Sequence, residues 1–392
     1  MICLTICSNN YFAMAKTLAD SWVLHHPGSR LVIGLVDKRA PDIDYQLPAG
    51  VELWEVESLG IPEFAQLVSQ YTITELCTAL KPHFLERLLS EGETDGVVYL
   101  DPDILIFKRL TEVEEALKEF NFVLTPQICS PIDVDAGPND AGPNDYHMLR
   151  SGVFNLGFFA IAPGPTSTRF LQWWKARMAC YAYRDDQRGL FYDQIWMNYI
   201  PAFYDSYRVI RDLGYNVANW NLHERVLSKQ GESYFVNDTI PLTFFHFSNY
   251  NLERAEILAG YNRRVSFATR PDVIPLFETY RQRVYANGHQ AVSGRAAHFQ
   301  RTTRAEPKAG EEDITLRFDE HIAPMIRARL RSMVKKASEL PHGGFELVIP
   351  VSLLEDIERL VLNWKEHVTM KTPNSHVDAT SRRIRVALAN DQ

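Results

Sequence analysis

Apolar runs of strand length alternate with helix-period stretches through the first 260 residues of this 392-residue chain. Ile2 to Cys7 is a short continuous apolar run, closed by the polar turn Ser8-Asn9-Asn10, and reads as a buried strand. From about Phe12 to His25 the apolar positions recur with helical spacing and stop before Pro27, and Leu31 to Val36 is a second apolar run that ends at Asp37. Strand, helix, strand in that order predicts the opening of a mostly parallel α/β sheet flanked by helices, whose ligands sit at the carboxyl ends of its strands.

The same reading predicts two helical segments next, one over about Ile73 to Leu80 and one opened by Pro82, since proline suits a first helical turn. Gly96 to Phe107 is an apolar run interrupted by two carboxylates, and Thr111 with Glu114 has the spacing of a capping box for the following helix. Between Pro126 and Arg150 the chain is rich in Pro, Gly, Asn and Asp, with Ala-Gly-Pro-Asn-Asp in tandem at 136–140 and 141–145, and reads as a loop, either a lid or a plain surface insertion. Val153 to Ala162 is a further strand, and Pro165 opens a helix carrying Trp173 and Trp174.

Past Asn251 the pattern weakens. A helix is expected over about Pro271 to Ala286, a linker over 291–313, and helical periodicity over 314–369, including the basic stretch 326–336. The expected organisation is a sheet domain over 1–260, a helix plus linker over 261–313, and a mainly helical C-terminal extension over 314–392 that serves acceptor, membrane-surface or subunit contact. A solvated helix face and an anionic membrane surface are the two readings of the stretch 326–336.

Composition narrows the function classes. Hydrophobic residues make up 46% and charged residues 23%, which is ordinary for a globular chain. A formal net charge of -8 argues against nucleic acid as a partner, because neutralising phosphates takes a basic face. The five cysteines show no metal or redox spacing and are expected as reduced, buried thiols. The N-terminus lacks a basic n-region, and no apolar stretch reaches the roughly 18 residues of a membrane span. The expected location is therefore cytoplasmic, with peripheral contact at the inner membrane face through 326–336 left open.

Chemistry concentrates first at Asp101-Pro102-Asp103. Residues i and i+2 of an extended chain face the same side, so the two carboxylates can share one cation, and hard oxygen ligands suit Mn²⁺ or Mg²⁺ holding a diphosphate. Ending the apolar run Val97 to Leu100 with two idle buried charges would be costly. The plainer alternative is a charged strand end feeding a turn.

With these residues in view, the sequence resembles the GT-A glycosyltransferases, and within them the family 8 retaining enzymes such as glycogenin and bacterial lipooligosaccharide galactosyltransferases. Val98-Tyr-Leu-Asp-Pro-Asp-Ile-Leu105, Phe154-Asn-Leu-Gly157, Asp193-Gln194 and Phe245-His246-Phe247 match that family's blocks in order, over about residues 1–260. The resemblance implies a GT-A, Rossmann-like mixed sheet, with Asp101, Asp103 and His246 as metal ligands. It implies that Thr5, Ser8, Asn10 and Tyr11 hold base and ribose, Lys81 the donor phosphates and Asn155 the donor sugar, with Asp193 and Gln194 at the reacting centre. It departs after His246, where Ser248-Asn-Tyr-Asn-Leu-Glu-Arg254 replaces the family's glycine and Lys-Pro-Trp, leaving Arg254 as a substitute base.

The implied activity is metal-dependent transfer of a hexose from a UDP-linked or other nucleotide sugar to a glycan, a lipid-linked sugar or a protein, in surface polysaccharide or lipopolysaccharide biosynthesis. A sugar nucleotidyltransferase and an inactive carbohydrate-binding or scaffold protein on the same fold are the alternatives. Asp193 and Glu224 are the candidate bases if the reaction inverts. The amide- and aromatic-rich segment Tyr215 to Arg225 reads either as a sugar-binding surface or as a loop that satisfies its own backbone.

Overall fold

The structure, a computed structural model, describes residues 1–92, 94–132, 142–185 and 188–299, and four strands beyond them. The chain divides into two compact units, Met1–Arg301 and Thr302–Gln392.

In the first unit the order is β1 (Ile2–Cys7), α1 (Phe12–His25), β2 (Leu31–Leu35), β3 (Val51–Glu55), α2 (Phe64–Gln70), α3 (Ile73–Ser90), β4 (Val97–Leu100) and β5 (Ile104–Ile106). Then come α4 (Thr111–Glu119), β6 (Phe122–Leu124), α5 (Asp145–Ser151), β7 (Phe158–Ile161), α6 (Pro165–Tyr181), β8 (Arg184–Asp185), β9 (Leu190–Phe191) and α7 (Ile200–Phe203). The unit closes with β10 (Tyr207–Val209), β11 (Val217–Ala218), β12 (Leu227–Gln230), β13 (Ser233–Val236), β14 (Ile240–Pro241), β15 (Phe244–His246), α8 (Ile274–Ala286) and α9 (His289–Val292).

The main sheet has the order β10-β6-β7-β4-β1-β2-β3. It is parallel except at β7, which runs antiparallel to both β4 and β6. Strands β1 and β4 are apolar at almost every position because helices cover both faces, and the pleat divides their side chains between two cores. Cys3 and Val98 pack with α1 and α8, including Phe12, Trp22, Phe277 and Tyr280. Leu4 and Tyr99 pack with α3 and α6, including Phe84, Phe170 and Trp174.

Several local expectations change. The stretch after Thr72 is one helix from Ile73 to Ser90 with Pro82 inside it, not two. Proline costs one helical hydrogen bond there, and burial of Leu76, Leu80, Phe84 and Leu88 along one face carries the helix through. A true capping box exists at Thr72 and Glu75, whereas Thr111 lies inside α4, whose cap position Leu110 offers no side-chain bond, and Glu114 pairs with Arg109 instead. Cys3 and Cys7 are buried as expected, but Cys129 and Cys180 are exposed.

The first unit also runs past residue 260. Helix α8 closes the core, with Tyr280 stacked on Phe247 at a centroid distance of 3.8 Å. In the second unit the described residues are strands, not helices: β16 (Asp313–Phe318), β17 (Lys336–Glu339), β18 (Phe345–Pro350) and β19 (Val368–Lys371), in the antiparallel order β17-β18-β16-β19. Ile314-Thr-Leu-Arg-Phe318 alternates with period two, the strand signal that a helical reading of 314–369 overlooks. Residues 326–335 of the basic stretch and most of the tandem repeat at 136–145 lie outside the described residues.

Candidate active site and metal centre

Strand β4 ends at Leu100, and the chain turns at once through Asp101-Pro102-Asp103, where the Ile104 amide donates to the Asp101 carbonyl at 3.2 Å. The carboxylates therefore converge from a turn rather than from an extended segment. Beyond it β5 leaves the main sheet and pairs antiparallel with β15, placing His246 opposite Ile104. Chain segments more than 140 residues apart thereby meet at one strand end. His246 Nε2 lies 3.1 Å from Asp103 Oδ1 and 3.7 Å from Asp101 Oδ2. One ligand atom from each residue lies within 4.8 Å of the others.

Two carboxylate oxygens and one imidazole nitrogen form a donor set suited to Mn²⁺, or to Mg²⁺ with added waters. His246 is 3% exposed, and burial opposes its charging, but the Asp103 and Asp101 carboxylates outweigh that and hold its pKa above the usual 6.5. A cation at this position takes the place of that proton. The imidazole has no spare room: a Cβ at Gly157 would overlap its Cε1 and come within 2.9 Å of Asn155 Oδ1. Glycine in the Phe154-Asn-Leu-Gly157 block is thus a packing requirement of the His246 imidazole.

Behind the carboxylates sits a buried charged network. Lys81, on α3 and 3% exposed, lies 2.8 Å from Asp193 Oδ2 and 3.6 Å from Asp101 Oδ1, and donates to the Leu156 carbonyl at 3.0 Å. Burial alone would discharge it, yet Asp193 and Asp101 together raise its pKa, so it stays an ammonium. Burial pushes the Asp193 carboxyl up and Lys81 acts against it. Tyr99 carries Lys81 on its ring face at 4.2 Å and donates its hydroxyl to Asp101 Oδ1 at 2.6 Å. Asp193 makes no side-chain cap to the short 3₁₀ helix Gln194–Tyr199, so helix capping does not explain it.

Gln194 is fixed at both ends of its amide. Its Oε1 accepts from the Leu156 amide at 3.0 Å and from Asn155 Nδ2 at 3.3 Å, and its Nε2 donates to the Ser151 carbonyl at 3.0 Å. Asn155 Oδ1 accepts from the Gly157 amide and from Asn216 Nδ2, each at 3.1 Å. Tyr99 and Asn216 belong to this constellation although the sequence reading assigned neither a role of its own. The parity of β4 sends Tyr99 to the α3 side, and Asn216 falls in the amide-rich segment 215–225, but its partners come from distant elements that no local pattern names.

The first turn lies beside this centre because β1 and β4 are neighbours in the sheet. Thr5 is fully buried within β1, and its hydroxyl has no partner. Ser8 Oγ donates to Asn10 Oδ1 at 2.5 Å. Asn9, not Ser8 or Asn10, ties the turn to the segment that follows β2: its amide donates to Asp37 Oδ2 and its Oδ1 accepts from the Tyr45 hydroxyl. Tyr11, whose phenol is pushed up to about 12 by partial burial together with Asp103 and Asp101, lines with Asn10 a cavity of about 420 Å³. Arg254 lines the same cavity, its side chain 66% exposed and 3.9 Å from Glu256.

Asn155 and Gln194 are among the residues that line a second cavity of about 390 Å³. The segment Tyr215 to Arg225 mostly satisfies itself and its neighbours: Asn221 donates to Gln127 and Asn216 carbonyls, and Arg225 to those of Tyr215 and Asn216. Trp220 is different, since it lines this cavity and meets His246 edge-on at 5.3 Å. Glu224 is consumed by structure, accepting from the Cys129 amide and Ser130 hydroxyl and pairing with Arg225 at 3.3 Å, which removes it as a base.

The WCX domain family matches residues 310–388. Two Bacillus subtilis (strain 168) proteins are similar to this chain, both described as uncharacterized. YfnD is 26% identical over 277 residues, covering 68% of this chain and 83% of YfnD. YfnF is 25% identical over 210 residues, covering 53% of this chain and 66% of YfnF, just under two thirds of its length. Among solved structures, the galactosyltransferase LgtC in complex with donor and acceptor sugar analogs is 14% identical, with a TM-score of 0.40, covering 73% of this chain and 96% of that one. An active-site mutant of LgtC gives a TM-score of 0.38 at the same coverage. Likeness at that level decides nothing about this chain's site. Among the described residues, no helix is long and apolar enough to cross a membrane.

Proposed function

We propose that this chain is a metal-dependent glycosyltransferase that moves a hexose from a UDP-linked sugar to a glycan or lipid-linked acceptor with retention of configuration, in surface polysaccharide assembly. The observation that carries the reading is the convergence of Asp101, Asp103 and His246 beside the buried Lys81 and Asp193 pair, at the end of a sheet whose first turn borders a cavity of about 420 Å³. The order of motifs resembling the family 8 GT-A enzymes supports it, as does the position of Asn155 and Gln194 in the adjoining cavity.

Asp101, Asp103 and His246 would hold the cation, which supplies Lewis-acid compensation for charge growing on the leaving diphosphate. Lys81 adds a fixed positive charge next to Asp101 that needs no reorganisation when the bond breaks. The sugar C1–O bond to phosphate breaks, the acceptor oxygen bonds to C1 on the same face, and its proton passes to the departing phosphate oxygen. Asp193 contributes negative charge beneath the electron-poor sugar. Gln194, immobilised by three hydrogen bonds, would be held in place at the sugar without rotamer loss. Asn10, Tyr11 and Arg254 border the space assigned to the nucleotide, and Arg254 takes the place of the lysine that the family carries after its histidine.

The test is release of nucleotide from UDP- and GDP-sugars with Mn²⁺ or EDTA. UDP release that needs the metal and falls on the order of 10³-fold in Asp103→Ala supports the proposal. Pyrophosphate as the product, or binding without turnover in every donor, overturns it.

A further inference from the structure

We infer that an exposed aromatic face on α6 and the short helices that follow it docks the chain on an anionic lipid surface, separately from the basic stretch 326–336. The contact stands independently of the transferase reading. Trp173, Arg177 and Tyr181 recur at i, i+4 and i+8 and so share one face of α6, while Trp174 turns into the core beside Phe170. In the 3₁₀ helix Gln194–Tyr199, Trp196 and Tyr199 are three residues apart and eclipse, and Phe203 follows on α7. Trp173 meets Trp196 and Tyr199 edge-on at 6.0 Å each and Phe203 at 5.7 Å. Tyr199 stacks on Phe203 at 4.9 Å, and Tyr181 lies 5.8 Å from Trp196. The rings therefore form one connected patch rather than scattered side chains, and Tyr181, Tyr199 and Phe203 stay half exposed.

The charges of this face indicate what covers it. Arg177 lies over the Trp173 ring at 5.6 Å, and Arg169, one turn before Trp173, donates to the Thr166 hydroxyl; among the described residues neither pairs with a carboxylate. The three helices that carry the rings contain no aspartate or glutamate. Of the acids that flank them, Asp193 is taken by Lys81, and Asp205 is exposed two residues after Phe203. Lys175, the remaining cation of α6, is taken by Glu86. Indoles and phenols favour the boundary between water and acyl chains, having an apolar body and a polar tip, and unpaired guanidinium groups draw anionic headgroups. A second copy of the chain fits less well, since a two-fold contact lays the same acid-free, arginine-bearing helices against each other. Gln194, which lines the second cavity, opens the helix that carries Trp196 and Tyr199. Docking by this face therefore brings that cavity near the lipid, where a lipid-linked acceptor would reside under the transferase reading.

The test is flotation of the full chain with vesicles of phosphatidylcholine alone and of phosphatidylcholine and phosphatidylglycerol in equal parts. The wild type should partition onto the anionic vesicles about tenfold more strongly than onto the neutral ones, and less so as salt is raised. Y199S/F203S should lower that partition about tenfold, whereas Y199W/F203W should keep it, with thermal melts as fold controls. R169Q/R177Q should erase the anionic preference and R169K/R177K restore it. Absence of vesicle binding by the wild type overturns the inference, and so does full binding by Y199S/F203S, which would put the contact elsewhere on the chain. A dimer in sedimentation velocity that Y199S/F203S abolishes would make the face a subunit contact and overturn it too. Metal-dependent UDP binding, followed in parallel, should be unchanged in every variant; its absence in the wild type removes the transferase reading and leaves the lipid contact standing.

Discussion

The two walls of the site are built in opposite ways. Around the carboxylates the buried charged and amide side chains are held largely by groups from other elements, Lys81 of α3 by Asp193, Asn155 by Asn216, and Gln194 by Leu156 and Ser151, while Asp101 accepts from Tyr99 two residues earlier. The wall formed by α5 is seven residues long, begins at a single cap where Asn144 Oδ1 accepts from the His147 amide, and exposes Tyr146 and Leu149. The first arrangement is a buried polar lattice tied across several elements, whereas α5 is a short, partly exposed helix with few buried residues.

The largest break in that contrast comes from Lys81→Met, which leaves Asp193 buried without its cation. It should cost about 3–5 kcal/mol in chemical denaturation. A loss under 1 kcal/mol would show that the pair is not a closed unit.

Gly157→Ala comes next. The added methyl overlaps the His246 ring, so stability should fall by about 1–3 kcal/mol and Mn²⁺ affinity with it. Unchanged affinity would mean that His246 is not held by this contact.

A smaller effect follows from His246 titration. Its folded pKa lies above the ordinary 6.5, so in EDTA the ion pair's contribution is complete below about pH 6.5 and is lost as the pH climbs through the raised value. Metal-free Tm should therefore decline over that window while Mn²⁺ affinity rises, because the cation must displace the proton. A flat Mn²⁺ affinity across the window would remove His246 from the ligand set.

The smallest change is expected from Asn144→Ala. It should weaken α5 by about 1 kcal/mol, visible as faster amide exchange in Asp145–Ser151, with metal-dependent UDP binding intact. Loss of UDP binding in that variant would join the two walls into one.

The carboxylate pair and part of the sheet were legible before any coordinates. Asp101 and Asp103 stand out because two carboxylates end an apolar run, and Ile2 to Cys7, Leu31 to Val36 and Val97 to Leu100 announce a sheet covered on both faces. What misled was local. Pro82 reads as a helix start by its residue type, yet burial on both sides of it decides for a continuous helix. Thr111 and Glu114 have capping spacing, but Arg109 claims the glutamate. The segment 314–369 reads as helical, while the part of it that is described is a four-stranded antiparallel sheet.

By itself, then, the sequence determined the opening strand–helix–strand order and the apolar run that ends in the carboxylate pair, because apolar period and turn chemistry are properties of neighbouring residues; the blocks around Asn155, Asp193 and His246 came from the resemblance to a known family. Only the tertiary structure decided that β5 leaves the main sheet to carry Asp103 to His246, that Lys81 closes on Asp193, and that Gly157 makes room for an imidazole from β15. Those are contacts across 89 (Gly157 to His246) to 143 (Asp103 to His246) residues of chain, set by strand pairing and by the need of buried charges for partners, and no local pattern records them.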